Sequence, residues 1–229
     1  MASVHDNADR ISIQVSLSGY SFTLEGPAGV QHSPWMGADR LFTTPEFQRR
    51  YRTVEISLLT PKCALVPEGF FRPEEARRLL SDVCALRDSD PVAWIPVPAH
   101  AAVLVYSNAV DETLSRVIAQ TVFDTDGNPA PVLPELYYLV RDLARCPEYN
   151  KIAASWRDGW LHLAIAQGRS LQLCNVFEAV DFTTAEYFLF LALKKLQLNP
   201  EQSVIRFRTP LSPEDEMSLY RYFKGVEQL

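Results

Sequence analysis

The stretch that most constrains this chain is Ile152–Phe177, IAASWRDGWLHLAIAQGRSLQLCNVF. Three apolar runs, Ile152–Trp156, Trp160–Ala166 and Leu171–Phe177, are separated only by Arg157-Asp158-Gly159 and Gln167-Gly168-Arg169. Linkers this short admit antiparallel hairpins and no crossover, and their glycines supply the positive backbone angles of tight turns. Thr183 and Glu186 then form a capping-box pattern before an apolar helix, Ala185–Gln197, which stops at Asn199-Pro200. Val204–Phe207 reads as a further strand, and Ser212-Pro213-Glu214-Asp215 opens a last helix running through Tyr222.

A meander, a crossover helix and a strand in parallel pairing make the order of a ribonuclease-H-like unit. The first part of the chain gives a looser version. Arg10–Leu24 alternates as a hairpin turning at Ser18-Gly19, and Glu25–Thr44, rich in glycine and proline, reads as a long loop. A short helix at Pro45–Tyr51, strands at Val54–Leu59 and Cys63–Val66, and an amphipathic helix at Pro73–Leu86 follow. Strands at Val92–Val97 and Ala101–Tyr106, a helix capped by Asn108 from Ala109 to about Gln120, and a helix at Leu133–Arg145 complete it. The expected fold is α/β: two tandem ribonuclease-H-like subdomains with mixed sheets, the arrangement of an actin-like ATPase. The expected division is a disordered N-terminus at 1–9, a first subdomain at 10–148 with loop insertion 25–44, and a second at 149–229.

At 229 residues with 47% hydrophobic and 22% charged residues, the chain has the composition of a soluble globular protein. Its polar start, with His5, Asp6 and Asp9, lacks the basic and apolar regions of a signal peptide, and no apolar run spans a bilayer, so a cytoplasmic protein without membrane insertion is expected. Cys63, Cys84, Cys146 and Cys174 lie far apart in apolar segments and read as buried free thiols, not a disulfide or zinc framework. A net charge of -6 argues against a generic DNA or RNA binder.

LVPEGFF at 65–71, the early hairpin ISIQVSLSGYSFTL, and LQLCNVFEAVDFTTAEYFLFLALKKLQLNPE resemble a Bacteroidetes family with an actin-like ATPase fold, domain of unknown function 3822. The resemblance covers most of the chain outside 25–44, and implies the fold and a cytoplasmic bacterial setting. Actin-like ATPases hold Mg-ATP with two Asp-x-Gly hairpins and a glycine pair against adenosine. In this chain the first hairpin reads Leu17-Ser18-Gly19-Tyr20-Ser21, with leucine in the carboxylate's place and Tyr20 adding bulk. The second has Arg157 two before Gly159 and Asp158 directly before it, which reads as a hairpin turn. The third position, Arg208-Thr209-Pro210-Leu211, has no glycine.

All three devices thus depart from the pattern together. Nucleases of related fold begin with a carboxylate on the first strand, and Ile11–Ser16 has none. No Walker loop, dinucleotide fingerprint or zinc-protease motif occurs. The expected function is a non-catalytic scaffold or protein-interaction module, as type IV pilus and type II secretion assembly proteins use this fold. Its partner is an unidentified protein, self-association being compatible, and no cofactor or metal is expected. The alternative is a degenerate nucleotide binder or weak ATPase with Ser18, Gly19, Ser21, Arg157, Asp158 and Gly159 nearest ATP and magnesium, or Arg157 holding an anion without hydrolysis. Trp35-Met36 in the long loop is the candidate partner surface. Arg49-Arg50-Arg52 around Tyr51 is a solvated helix face before it is an RNA site. Asp124–Asn128 reads as a turn, His162 as a core histidine and His100 as a loop residue.

Overall fold

A computed structural model describes residues 9–109 and 112–229. Along the chain, β1 (Arg10–Ser16), β2 (Gly19–Gly26) and β3 (Gly29–His32) form a meander, and 3-10 turns at Ala38–Thr43 and Pro45–Gln48 lead to β4 (Arg50–Tyr51) and β5 (Thr53–Leu58). Next come β6 (Cys63–Pro67), α1 (Ala76–Ser81), β7 (Ala93–Val97), β8 (Ala102–Tyr106), α2 (Glu112–Ala119), β9 (Phe123–Asp124) and β10 (Val132–Pro134). The chain closes with α3 (Glu135–Asp142), β11 (Asn150–Arg157), β12 (Trp160–Gln167), β13 (Ser170–Glu178), α4 (Phe182–Lys195), β14 (Val204–Phe207), α5 (Pro213–Tyr220) and β15 (Gly225–Gln228). Two compact units result, Met1–Leu58 with Asp111–Leu133 and Leu59–Val110 with Pro134–Leu229.

The main sheet of the first unit has the order β10-β5-β1-β2-β3, and that of the second β13-β12-β11-β14-β15. Numbered within each sheet, both run third-second-first-fourth-fifth. In each, the second strand is antiparallel to the first and the fourth parallel to it. This shared topology is the duplicated unit anticipated from element order.

Alternation explains both sheets. In the first unit Ile11, Ile13 and Val15 enter a core with Tyr20, Phe22, Ile56, Leu58 and Ile118. The intervening Ser12 and Gln14 are also buried, and are satisfied locally: Gln14 Nε2 donates to Ser12 Oγ at 3.2 Å, and Ser21 Oγ to Gln14 Oε1 at 3.2 Å. In the second unit Ile152, Ala154, Leu161, Leu163, Ile165, Ile205 and Phe207 share a core with Leu189 and Leu193 of α4 and Leu219 of α5. The alternate residues, including Ser155, His162, Arg206 and Arg208, lie on the opposite face, and α3 packs on β11 and β12. The small antiparallel sheet β6-β8-β7 is covered by α1 through Ala76 and Leu80.

Several elements differ from expectation. The loop 25–44 contains β3, which extends the first sheet by pairing Gly26 with Gly29 and Thr23 with His32; four residues are too few to register as periodic. The helix expected at Pro45–Tyr51 is a 3-10 turn followed by β4, because Tyr51 turns inward and donates its hydroxyl to the Glu46 carbonyl at 2.8 Å. The helix at Pro73–Leu86 is α-helical only over Ala76–Ser81, and that at Leu133–Arg145 gives its first residues to β10. The cap of α4 is Asp181, accepting from the Thr184 amide at 2.7 Å; an aspartate at that position outcompetes the expected Thr183 cap. The last helix ends at Tyr220, and β15, unanticipated, pairs in parallel with β14. Asp9 is held by backbone hydrogen bonds to Glu25 and Thr53, and the rest of the expected disordered N-terminus lies outside the described residues; of the helix expected from Ala109, Ala109 itself is not helical and donates its amide to Ser107 Oγ at 3.3 Å, while 110–111 lie outside the described residues.

Candidate functional site

The first hairpin turns at Leu17-Ser18 and enters β2 at Gly19, whose φ is +146°. A Cβ at Gly19 would overlap the carbonyl oxygen of Met36, so the close approach glycine permits is used by the protein's own backbone. Tyr20 donates its amide to Met36 O at 2.8 Å and accepts from Met36 N at 2.7 Å. The Tyr20 ring is fully buried, tilted against Phe47 at 5.1 Å between ring centroids, with its hydroxyl 2.6 Å from Thr44 Oγ1. Burial pushes its pKa above the ordinary phenol value. Ser18 Oγ accepts from Trp35 Nε1 at 3.0 Å, and Ser21 is buried against Gln14. Trp35 and Met36 are therefore half-buried and bonded to this hairpin.

The second hairpin is a two-residue loop: Arg157 pairs with Trp160, and Asp158 and Gly159 have φ of +49° and +81°. Two positive angles define the type I′ turn that Asp-Gly favours. The Gly159 carbonyl accepts from the Ala179 amide at 2.7 Å, tying the turn to the end of β13. Arg157 is half-buried, and desolvation lowers its pKa against the opposing charge of Asp158.

At the third position, Arg208 and Thr209 are buried and structurally engaged. Arg208 Nη1 donates to Glu135 Oε2 at 3.0 Å, its Nε lies 3.4 Å from Asp142 Oδ2, and its guanidinium sits 4.9 Å from the Tyr138 ring centroid. Ser155 Oγ donates to the other Glu135 oxygen at 2.6 Å. Thr209 Oγ1 accepts from the Trp156 amide at 3.0 Å. The neighbouring cavity, beside Phe207, Thr209 and Leu211, holds about 70 Å³, well below the roughly 300 Å³ at which small-molecule pockets begin. This Arg208–Glu135–Asp142 network was not anticipated. Its signal was present as charges inside otherwise apolar segments, Glu135 before LYYLV and Arg206 and Arg208 in VIRFR.

A family model described as a protein of unknown function, DUF3822, matches residues 15–226. The chain belongs to this family. A Bacteroides thetaiotaomicron protein with an actin-like ATPase fold and unknown function is similar in structure at a TM-score of 0.63 and 17% identity, covering 100% of this chain and 93% of that one. A chain of the PilM–PilN type IV pilus biogenesis complex is similar at a TM-score of 0.51 and 12% identity, covering 97% of this chain and 88% of that one. At such identities the likeness establishes the fold, which is that of the actin-like ATPases. No curated protein matches the chain by sequence.

The other residues singled out fall as follows. Tyr51 is 1% exposed, so its ring is unavailable for stacking on a base, and Arg50 lies over Phe123 at 4.8 Å. Asp124 accepts from the amides of Asp126 and Asn128 at 2.9 and 2.7 Å, forming a turn. His162 is fully buried, with Nε2 3.0 Å from the Thr60 carbonyl oxygen. All four cysteines are free; Cys63 and Cys146 are buried, while Cys84 and Cys174 are only half-buried. Among the described residues no group of three or more His, Cys, Asp or Glu could hold a metal, and no helix is long and apolar enough to cross a membrane.

Proposed function

We propose that this actin-fold protein is a non-catalytic scaffold that binds another protein, with nucleotide chemistry lost from its hairpins. One observation carries the reading. The Met36 backbone occupies the approach to Gly19 and takes the Tyr20 amide, the groups a phosphate-binding hairpin would offer. The missing glycine and the small cavity at Arg208-Thr209 add support. So does the similarity to a chain that takes part in a pilus biogenesis complex. In this reading the ribonuclease-H-like subdomains are 10–148 and 149–229, each built on one sheet of the shared strand order, although 59–110 and 134–148 pack in the same compact unit as the second. A cytoplasmic setting is supported by four unpaired cysteines, which suit a reducing compartment.

Thermal unfolding with and without millimolar Mg-ATP tests the loss of nucleotide chemistry. A ligand at a hundred times its Kd adds about 2.7 kcal/mol to the folded state, which is readily resolved. The expected result is an unmoved midpoint. A rise that disappears in Gly159→Trp would establish ATP at the second hairpin and overturn the proposal.

A further inference from the structure

Three adjoining concavities in the second unit meet at Ala99 and His100. The first holds about 340 Å³ and includes Lys151, Gly168 and Arg169; the second, about 500 Å³, runs toward Leu65 and Leu171; the third, about 190 Å³, runs toward Tyr137 and Arg141. Together they form a groove open to solvent. No carboxylate lines any of the three, although the whole chain has 28 acidic and 22 basic residues. Among the described residues, the side chains of Lys151, Arg169 and His100 make no hydrogen bond or ion pair, so two cations and an imidazole, whose burial lowers its pKa and favours the neutral ring, face the same hollow.

The groove is also built with care for its shape. His100 ends a 3-10 turn at Pro98–His100, and Ala101 follows with φ +46°, a left-handed conformation that strains a residue bearing a Cβ. Such strain persists only where the surroundings enforce it, and here the Ala101 carbonyl accepts from the Glu68 amide at 2.8 Å. Across the groove, Gly168 at φ +57° makes the turn that carries Arg169, and the Gly168 amide donates to Tyr149 O at 2.7 Å. Tyr149 itself is exposed beside this turn. Lys151 and Arg157 stand at opposite ends of β11, six residues or about 20 Å apart, so the groove is separate from the Asp158-Gly159 turn.

We propose that this groove docks an extended acidic segment of a protein partner, its carboxylates meeting the Lys151 and Arg169 cations beside the His100 ring. The inference rests on the protein-interaction reading above and gives it a location. An enclosed pocket would suit a small ligand; an open, branching hollow with charges of one sign suits a linear chain whose selection is electrostatic.

Selection of a display library of random ten-residue peptides on the intact protein tests it. Enrichment of Asp and Glu is expected, with affinity of the selected peptides falling about tenfold in Lys151→Gln/Arg169→Gln and falling further with added salt. Peptides without acidic enrichment, or with affinity unchanged in the double variant, would overturn the proposal. Full displacement by equimolar inorganic phosphate would overturn it in favour of a small-anion site. Thermal unfolding of the double variant at the wild-type midpoint confirms that folding is intact; Lys151→Met/Arg169→Met substitutes if it is not. ATP binding at the hairpins would sink the scaffold reading while leaving this peptide result unaffected, so the two failures are distinguishable.

Discussion

At the scale of single residues, the chemistry turns on what a side chain or its absence allows. Gly19 combines φ +146° with a Cβ position occupied by the Met36 carbonyl. Gly19→Ala is expected to cost about 3 kcal/mol from strain and overpacking, read as a lower urea midpoint. His162 is the other sensitive residue: burial pulls its pKa from 6.5 down to about 4, against the raising effect of the Thr60 hydrogen bond. The folded state therefore disfavours the imidazolium. Its contribution is fully present above pH 6.5 and is lost as pH falls toward about 4, amounting to about 3 kcal/mol. His162→Gln, which keeps an amide donor near the Nε2 position, is expected to lose stability less steeply than wild type over that window in pH-dependent urea unfolding; parallel curves would show that His162 does not titrate there. The Asp158-Gly159 turn was legible because its two residue types fit one turn geometry. The burial of Tyr20 and Tyr51 was not, since a tyrosine beside serine or arginine is equally compatible with surface and core.

At the scale of elements, α3 is fastened to the polar face of the second sheet by ions as well as by apolar contacts. Glu135 from the start of the helix and Asp142 from its end both approach Arg208, which follows β14, while Ser155 of β11 satisfies the remaining Glu135 oxygen. Asp142 keeps Arg141 Nη2 at 2.9 Å, but removing the Arg208 cation leaves the buried Glu135 carboxylate with only Ser155, so Arg208→Met is expected to destabilise by about 3–5 kcal/mol. Adding Glu135→Gln should recover part of that loss, measured by chemical denaturation of the full chain; no recovery would mean that packing of the Arg208 stem, not charge, holds α3. Long elements were readable here and short ones were not. The meander and α4 carry eight or more residues of period or glycine punctuation, whereas β3, β10 and β15 span three or four and exist because a neighbouring strand presents an unpaired edge.

At the scale of the whole molecule, charge and topology bear on function separately. With a net charge of -6 and Tyr51 buried, the Arg49–Arg52 stretch lacks the stacking surface that single-stranded RNA needs. A labelled single-stranded RNA should show no change in electrophoretic mobility with micromolar protein at physiological salt; a shift abolished by Arg50→Gln would reverse that expectation. The fold itself was visible in the order of elements, because hairpin length and crossover connections restrict topology to very few arrangements, and the two sheets share one strand order despite their different sequences. The sequence by itself thus determined the first hairpin, the second meander, the Asp-Gly turn and the departure from all three nucleotide motifs, each a matter of residues adjacent along the chain. Only the tertiary structure decided that Met36 closes over Gly19, that Arg208 meets Glu135 and Asp142, and that His100, Lys151 and Arg169 share one groove. Those contacts join residues separated by 17 to 73 positions, and no local periodicity encodes which side chains a sheet and its crossings will bring face to face.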